Sequence, residues 1–149
     1  MITLATNVEI RTWSHRAGRV TPLDVQRLTN KVVNAGLTQV RDVLHGSAVT
    51  FPSHLAVGTG ATAVAAGDTA LGTEVFRDTL TSKTSLTLAE RYTYYLGTPD
   101  ANGNTLAEAG LFNAGASGTM FARVVLASTI TKTASISVTF TWTITLSAS

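Results

Sequence analysis

The chain has 149 residues, 44% of them hydrophobic and only 13% charged, against a typical charged share of roughly 25%. That length suits one domain with a sizeable core. So little charge is a poor recipe for a freely soluble monomer, and suits a surface covered by copies of the chain or by partners; a Thr-rich secreted β domain is the alternative. The net charge of +2 and pI of about 9.3 come without any Lys/Arg run or basic stripe, which excludes the nucleic-acid-binding signature.

The chain has no cysteine, which excludes a disulfide framework, a zinc finger and a thiol nucleophile, and fits a reducing cytosolic origin. The first ten residues show no basic n-region and no long apolar h-region, so no signal peptide is expected. No apolar run approaches the ~20 residues of a bilayer crossing, so no membrane partner is expected.

Residues 2–10 alternate weakly and read either as a strand or as an arm ordered only against a neighbour. Residues 1–20 are therefore taken as an N-terminal arm, followed by a single domain over 21–149. Trp13 in this stretch is an interface anchor or folds back onto the core. Arg11, Arg16 and Arg19 form the one basic cluster, solvated or facing an interface. Thr21-Pro22-Leu23-Asp24 reads as a helix start, with Thr21 as N-cap, Pro22 in the first turn and Asp24 near the positive dipole end. Val25, Leu28, Val32, Val33, Leu37, Val40, Val43 and Leu44 then recur at spacings of three and four. The spacing predicts a helix over about 22–44, interrupted by Gly36 and capped by Gly46. Its stripe, Leu28 and Val32 included, packs across a sheet or is shared between protomers.

Residues 55–57 read as a short strand. Gly58-Thr59-Gly60-Ala61-Thr62-Ala63 then matches G-x-G-x-x-A. A dinucleotide fingerprint also needs a long helix and a parallel sheet, and Gly67 follows too soon, so no nucleotide cofactor is expected. The stretch reads as a loop leading to a short second helix capped by Asp68 and running through Val75, with Glu74 and Arg77 three apart and able to pair.

Residues 78–85 read as strand then turn, and 86–96 as a strand carrying Tyr92, Tyr94 and Tyr95. Residues 97–104 form a dense turn cluster. Asp100, Asn102 and Asn104 alternate there, with Glu108 beyond, but Gly103 comes too early for a calcium loop and the flanks are strands. No metal is expected, and a hairpin-type loop built on Asn102-Gly103 is. Glu108 stands among small and apolar residues that run on to Phe112. It reads as a carboxylate paired with a cation such as Arg123, or capping backbone amides, rather than as a catalytic acid. Residues 119–126 read as another strand, with Phe121 and Val125 inward.

The last stretch, 134–146, alternates most cleanly. Ile136, Val138, Phe140, Trp142, Ile144 and Leu146 point one way, and Ser135, Ser137, Thr139, Thr141, Thr143 and Thr145 the other. This is one apolar face and one hydroxyl face, built from residues that suit a pleated, half-buried surface. No catalytic constellation accompanies it. His15, His45 and His54 are scattered, and no Ser sits in G-x-S-x-G, so no enzyme is expected.

Taken in order, these pieces carry a resemblance: Ala56 to Gly60; Asp68-Thr69-Ala70-Leu71 with Glu74 and Arg77; Asn102-Gly103-Asn104; Glu108 to Phe112; Phe121-Ala122-Arg123; Lys132-Thr133; Trp142-Thr143-Ile144. Over about residues 55–146 the chain resembles tailed-bacteriophage virion proteins of the tail-fibre or structural type. The Thr69, Leu71, Glu74 and Arg77 piece is similar to the N-terminal module of tail-collar fibre proteins, which attaches a fibre to the baseplate. The resemblance implies a virion subunit, assembled in the host cytoplasm, that docks on other virion proteins and on itself, as a trimer by analogy with fibres. Fibre adaptor, baseplate or neck part and head decoration protein all stay open.

The fold expected is mainly β: an antiparallel β-sandwich with one N-terminal α-helix and a short second helix. The residues expected to carry structure or interfaces are Trp13, Leu28, Val32, Glu74, Arg77, Glu108, Phe112, Arg123 and Trp142. A carbohydrate- or receptor-binding module is the other class, with Trp13, Tyr92, Tyr94 and Tyr95 stacking on sugars if they cluster on one exposed surface.

Overall fold

The computed structural model describes residues 1–148. They form two antiparallel five-stranded sheets and one helix. In chain order these are β1 (Ile2–Arg16), β2 (Arg19–Thr29), β3 (Lys31–Val32), α1 (Asn34–Leu44), β4 (His54–Gly58), β5 (Glu74–Thr79), β6 (Ser82–Ser85), β7 (Ala89–Leu96), β8 (Thr105–Phe112), β9 (Met120–Thr131) and β10 (Ile136–Ala148). The first sheet runs β2-β1-β10-β7-β6 and the second β3-β9-β8-β4-β5.

The alternating C-terminal strand is the middle of the first sheet, paired with β1 on one side and β7 on the other. Val138, Phe140, Trp142 and Ile144 are buried, and Thr139, Thr141, Thr143 and Thr145 lie on the opposite, half-buried face. One apolar cluster joins the sheets. Val8, Tyr94 and Trp142 of the first meet Leu55, Leu111 and Val124 of the second.

The expected helix over 22–44 is half strand. Residues 22–29 belong to β2, and α1 begins only at Asn34. The Thr-Pro-Leu-Asp signature is overridden by pairing with β1, which sets Gln26 opposite Ile10 and Leu28 opposite Val8. Leu23 is left without a partner at a bulge beside Trp13. Pro22 is tolerated because β2 is an edge strand. The inward position that would have shown the alternation is occupied by a polar residue, Gln26. Its amide is satisfied by the other sheet: Nε2 donates to the Ser128 carbonyl at 2.8 Å, and Ser128 N donates to Oε1 at 3.1 Å.

Gly36 is a helix residue for a packing reason, because a Cβ there would run into the Phe121 carbonyl oxygen of β9. Gly46, at φ 86°, closes the helix in the left-handed conformation.

Three further expectations are corrected. The N-terminal stretch is not a separate arm: β1 pairs with β10 along nearly its whole length and turns into β2 at Ala17 and Gly18, both at positive φ. No second helix follows Asp68; residues 59–73 are a loop, and Glu74 already begins β5. The Asn102-Gly103 loop is not a hairpin, because β7 and β8 lie in different sheets. It is held by the buried Lys132, whose Nζ donates to Thr98 O, Asn102 Oδ1 and Thr133 O at 3.3, 3.0 and 3.2 Å. Phe121 is buried as expected, but Val125 is only partly so.

Candidate functional site

The densest polar chemistry lies on the outer face of the second sheet, beneath the loop from Thr59 to Thr73. Glu108 on β8 and Arg123 on β9 project to that face, two strand positions out of step, since Glu108 pairs with Val125 and Arg123 with Gly110. Both are buried, Glu108 completely. Glu108 Oε1 accepts from the amides of Gly60 at 3.0 Å and Thr73 at 2.8 Å. Oε2 accepts from the Gly72 amide at 3.0 Å and from Arg123 Nε at 2.9 Å and Nη2 at 2.8 Å. Arg123 then reaches into the loop, Nη1 to Asp68 Oδ2 at 2.8 Å and Nη2 to Thr62 O at 3.0 Å. Asp68 Oδ2 also accepts from Ala65 N at 3.0 Å.

One cation therefore serves two carboxylates, and one carboxylate gathers three loop amides. Burial pushes the Glu108 carboxyl up, but the Thr73 and Gly72 amides and then Arg123 outweigh it and hold the group below its ordinary value. Asp68 is lowered too, first by the Ala65 amide, against some desolvation, and then by Arg123. Both stay ionised, and Glu108 is closed to solvent. This arrangement fastens a loop; it does not present an acid to a substrate.

The glycines that resembled a nucleotide fingerprint are explained here. A Cβ on Gly60 would lie 2.5 Å from Glu108 Oε1 and 2.9 Å from Gly72 Cα, and one on Gly58 would meet the Thr73 carbonyl and Glu108. The loop binds a carboxylate of its own chain through its amides.

Glu74 and Arg77 pair as expected, though on a strand and not a helix. Three apart on a regular strand they would face opposite ways. The bulge between Val57 and Gly58 sets Glu74 opposite Gly58 and Arg77 opposite Ala56, on one face. Arg77 Nη2 lies 2.7 Å from Glu74 Oε2, and its guanidinium sits 3.6 Å over the Phe112 ring. It also donates to Ala114 O and Ser117 O, clamping the β8–β9 turn. Phe112 is buried with Ala56, Leu71 and Met120 beneath the loop.

The remaining expected residues lie elsewhere. Leu28 and Val32 are partly buried against the main core and Trp142 lies inside it, while Trp13 is half-buried on the outer, hydroxyl-rich face of the first sheet.

Trp13 and Tyr95 line a shallow depression of about 240 Å³ with His15, Val20 and Ser137, and His15 Nε2 lies 2.8 Å from Ser137 Oγ. Tyr95 is 46% exposed, whereas Tyr92 and Tyr94 are core residues whose phenols burial pushes up, Tyr92 to about 12. Thus two of the four expected aromatics share a surface and two do not. A second depression of about 270 Å³ lies between Asn30, Lys31, Val64 and Val125.

Sequence reasoning singled out Glu108 and Arg123, took Asp68 for a helix cap, and gave Gln26 and Lys132 no role in holding the fold. The signal for Asp68 was its place among small residues in a loop otherwise without charge. Among the described residues, no group of three or more His, Cys, Asp or Glu gathers as a metal site, and no helix is long and apolar enough to cross a membrane. Comparison of the chain with protein-family models, curated proteins and solved structures found no match.

Proposed function

We propose that this chain is a structural subunit of a tailed-bacteriophage virion, of the tail-fibre or baseplate type. It acts mechanically, by associating with copies of itself and docking on other virion proteins. The two sheets, sharing one core, form the β-sandwich body of that subunit, with α1 against β9. The observation that carries the self-association is the surface. Arg123, Glu108 and Lys132 are used inside the fold, while Ile2, Leu23, Leu44 and Leu88 stand exposed. The virion assignment rests on the resemblance across residues 55–146, and fibre analogy makes the copy number three. The place of action would be the virion, assembled in the host cytoplasm.

The test is mass spectrometry of purified phage particles from a lysate that expresses this chain. The reading expects the chain in intact particles at a fixed ratio to the other virion proteins. Its presence only in the soluble fraction would contradict the reading. A head decoration protein would be found with tail-less heads, which the same fractionation separates.

A second reading, a carbohydrate-binding module, is favoured by the Trp13 and Tyr95 depression alone, where a sugar face can stack on the exposed Tyr95 ring beside the half-buried Trp13. Tyr92 and Tyr94 are too deep to contribute. Screening against immobilised glycans, with Tyr95→Ala as the comparison, separates this reading from the first.

A further inference from the structure

The chain has three lysines. Lys31 and Lys83 are exposed, and Lys83 Nζ donates to Pro52 O at 3.2 Å. Lys132 is fully buried. Among the described residues no carboxylate lies within ion-pair distance of its Nζ. Its contacts are neutral oxygens, those of Thr98, Asn102 and Thr133. A buried charge without a counter-ion is costly, and burial favours the neutral amine. The Lys132 amine is held below its ordinary value, by burial first and against the opposing pull of Asp100.

The group beside this amine is a carboxamide, and the backbone fixes the two in register. Gly103 N donates to Lys132 O at 3.0 Å, and Lys132 N donates to Asn104 O at 2.9 Å. Nζ lies 3.0 Å from Asn102 Oδ1. Asn102 Nδ2 donates to Thr98 O at 2.9 Å, and Nζ donates to the same oxygen at 3.3 Å. The amine therefore bonds one end of the carboxamide and shares an acceptor with the other. Asp100, two residues earlier, is anchored by the Gly97 amide at 2.9 Å, and its charge is felt at Lys132. Asn102 itself is exposed, so a group leaving its side chain passes directly into solvent.

We infer that Lys132 and Asn102 join covalently once the chain has folded, through an isopeptide bond between Lys132 Nζ and Asn102 Cγ. The ammonium gives one proton to Asp100, and the neutral amine attacks Cγ. The Nζ–Cγ bond forms and the Cγ–Nδ2 bond breaks. The nitrogen departs as ammonium, with one proton from the attacking amine and one returned by Asp100. Nothing is oxidised or reduced. The bond replaces a buried ammonium by a neutral amide, which removes the cost of the unpaired charge. It also ties the β7–β8 connection to the β9–β10 connection, both of which cross between the sheets. The inference stands whether or not the chain is a virion subunit.

The test is the intact mass of the purified, denatured full chain, with a tryptic map. The wild type is expected to weigh less than its sequence by one ammonia. Trypsin is expected to leave residues 92–123 attached to residues 124–149, uncut after Lys132. Lys132→Met and Asn102→Ala are expected to show their full sequence masses. Asn102→Asp, which keeps a carbonyl at Cγ, is expected to link with loss of one water. Asp100→Asn is expected to leave most of the chain unlinked. The wild-type measurement decides by itself, whether or not the variants fold. A wild type of full sequence mass overturns the inference. A loss of one ammonia with normal cleavage after Lys132 marks a succinimide at Asn102-Gly103, and overturns it as well. Complete linkage in Asp100→Asn overturns the proton route through that residue.

Discussion

Arg123 stands between Glu108 and Asp68, 2.8 Å from an oxygen of each. The two carboxylates differ in burial: Glu108 is fully enclosed, while Asp68 keeps part of its side chain in solvent. The same exchange therefore has unequal effects at the two positions. Glu108→Ala leaves a buried guanidinium without its main partner and three loop amides without an acceptor, a loss of about 3–5 kcal/mol. Asp68→Ala removes two hydrogen bonds to a partly exposed carboxylate, from Arg123 and from the Ala65 amide, about 1–3 kcal/mol. Urea denaturation of the two variants checks the order. In Glu108→Leu with Arg123→Met the combined loss is smaller than the sum of the two single losses, since neither residue is left as an unpaired buried charge.

Acid weakens the same network. Glu108 is held below its ordinary 4.5 and Asp68 below its ordinary 3.8. Folded-state values lower than unfolded ones mean that the unfolded chain takes up protons first as pH falls. The stabilisation is complete above the ordinary values and is lost as pH drops from them through the folded-state values. Denaturation midpoints measured from neutral pH downward should fall below about pH 4.5 in the wild type, and less steeply in Glu108→Gln. Equal slopes in the two proteins would assign the acid sensitivity to other carboxylates.

The loop glycines offer a sharper steric check. Gly60→Ala sets a methyl group 2.5 Å from Glu108 Oε1 and pushes the loop off its carboxylate, costing about 1–3 kcal/mol as overpacking does. Gly67→Ala, in the same loop with nothing within 4 Å of the added carbon, leaves the thermal midpoint nearly unchanged. A similar drop in both variants would show that loop flexibility, and not contact with Glu108, sets the requirement.

The two tryptophans report on different places. Trp142 is closed to solvent and Trp13 lies half-buried on the outer face. Trp13→Phe keeps the fold, and its remaining emission is blue-shifted and resists acrylamide. Trp142→Ala opens a core cavity and costs about 3–5 kcal/mol. Strong quenching of the Trp13→Phe protein would place Trp142 outside the core.

How much was legible in the sequence depended on whether local signals agreed with distant pairing. The strand carrying Trp142 announced itself by alternation, and the one carrying Tyr94 was read as a strand; β8, which carries Leu111, is buried on both faces and has no alternation to read. Glu108 was legible as a lone carboxylate among small residues, with Arg123 as its natural cation. β2 was not legible. Its inward position holds Gln26, whose partner Ser128 is 102 residues away, and the bulge at Leu23 breaks what alternation remains. The Thr-Pro-Leu-Asp start and the three-and-four spacing then spoke for a helix over residues that β1 holds as strand. The Glu74 and Arg77 pair was read correctly on the wrong element, because a bulge restores on a strand the shared face that a helix turn would give. Gln26→Ala, which leaves both Ser128 backbone groups without that partner, should cost about 1–3 kcal/mol. Hydrogen exchange at the Ser128 amide reads the loss directly.

The claim on which the functional reading depends is that this weakly charged surface is made to be covered by other copies of the chain. The most direct measurement is the mass of the purified full chain in solution, by light scattering from dilute to concentrated samples. The reading predicts a stable multimer that persists on dilution. A chain that stays monomeric and soluble at the highest concentration would contradict it.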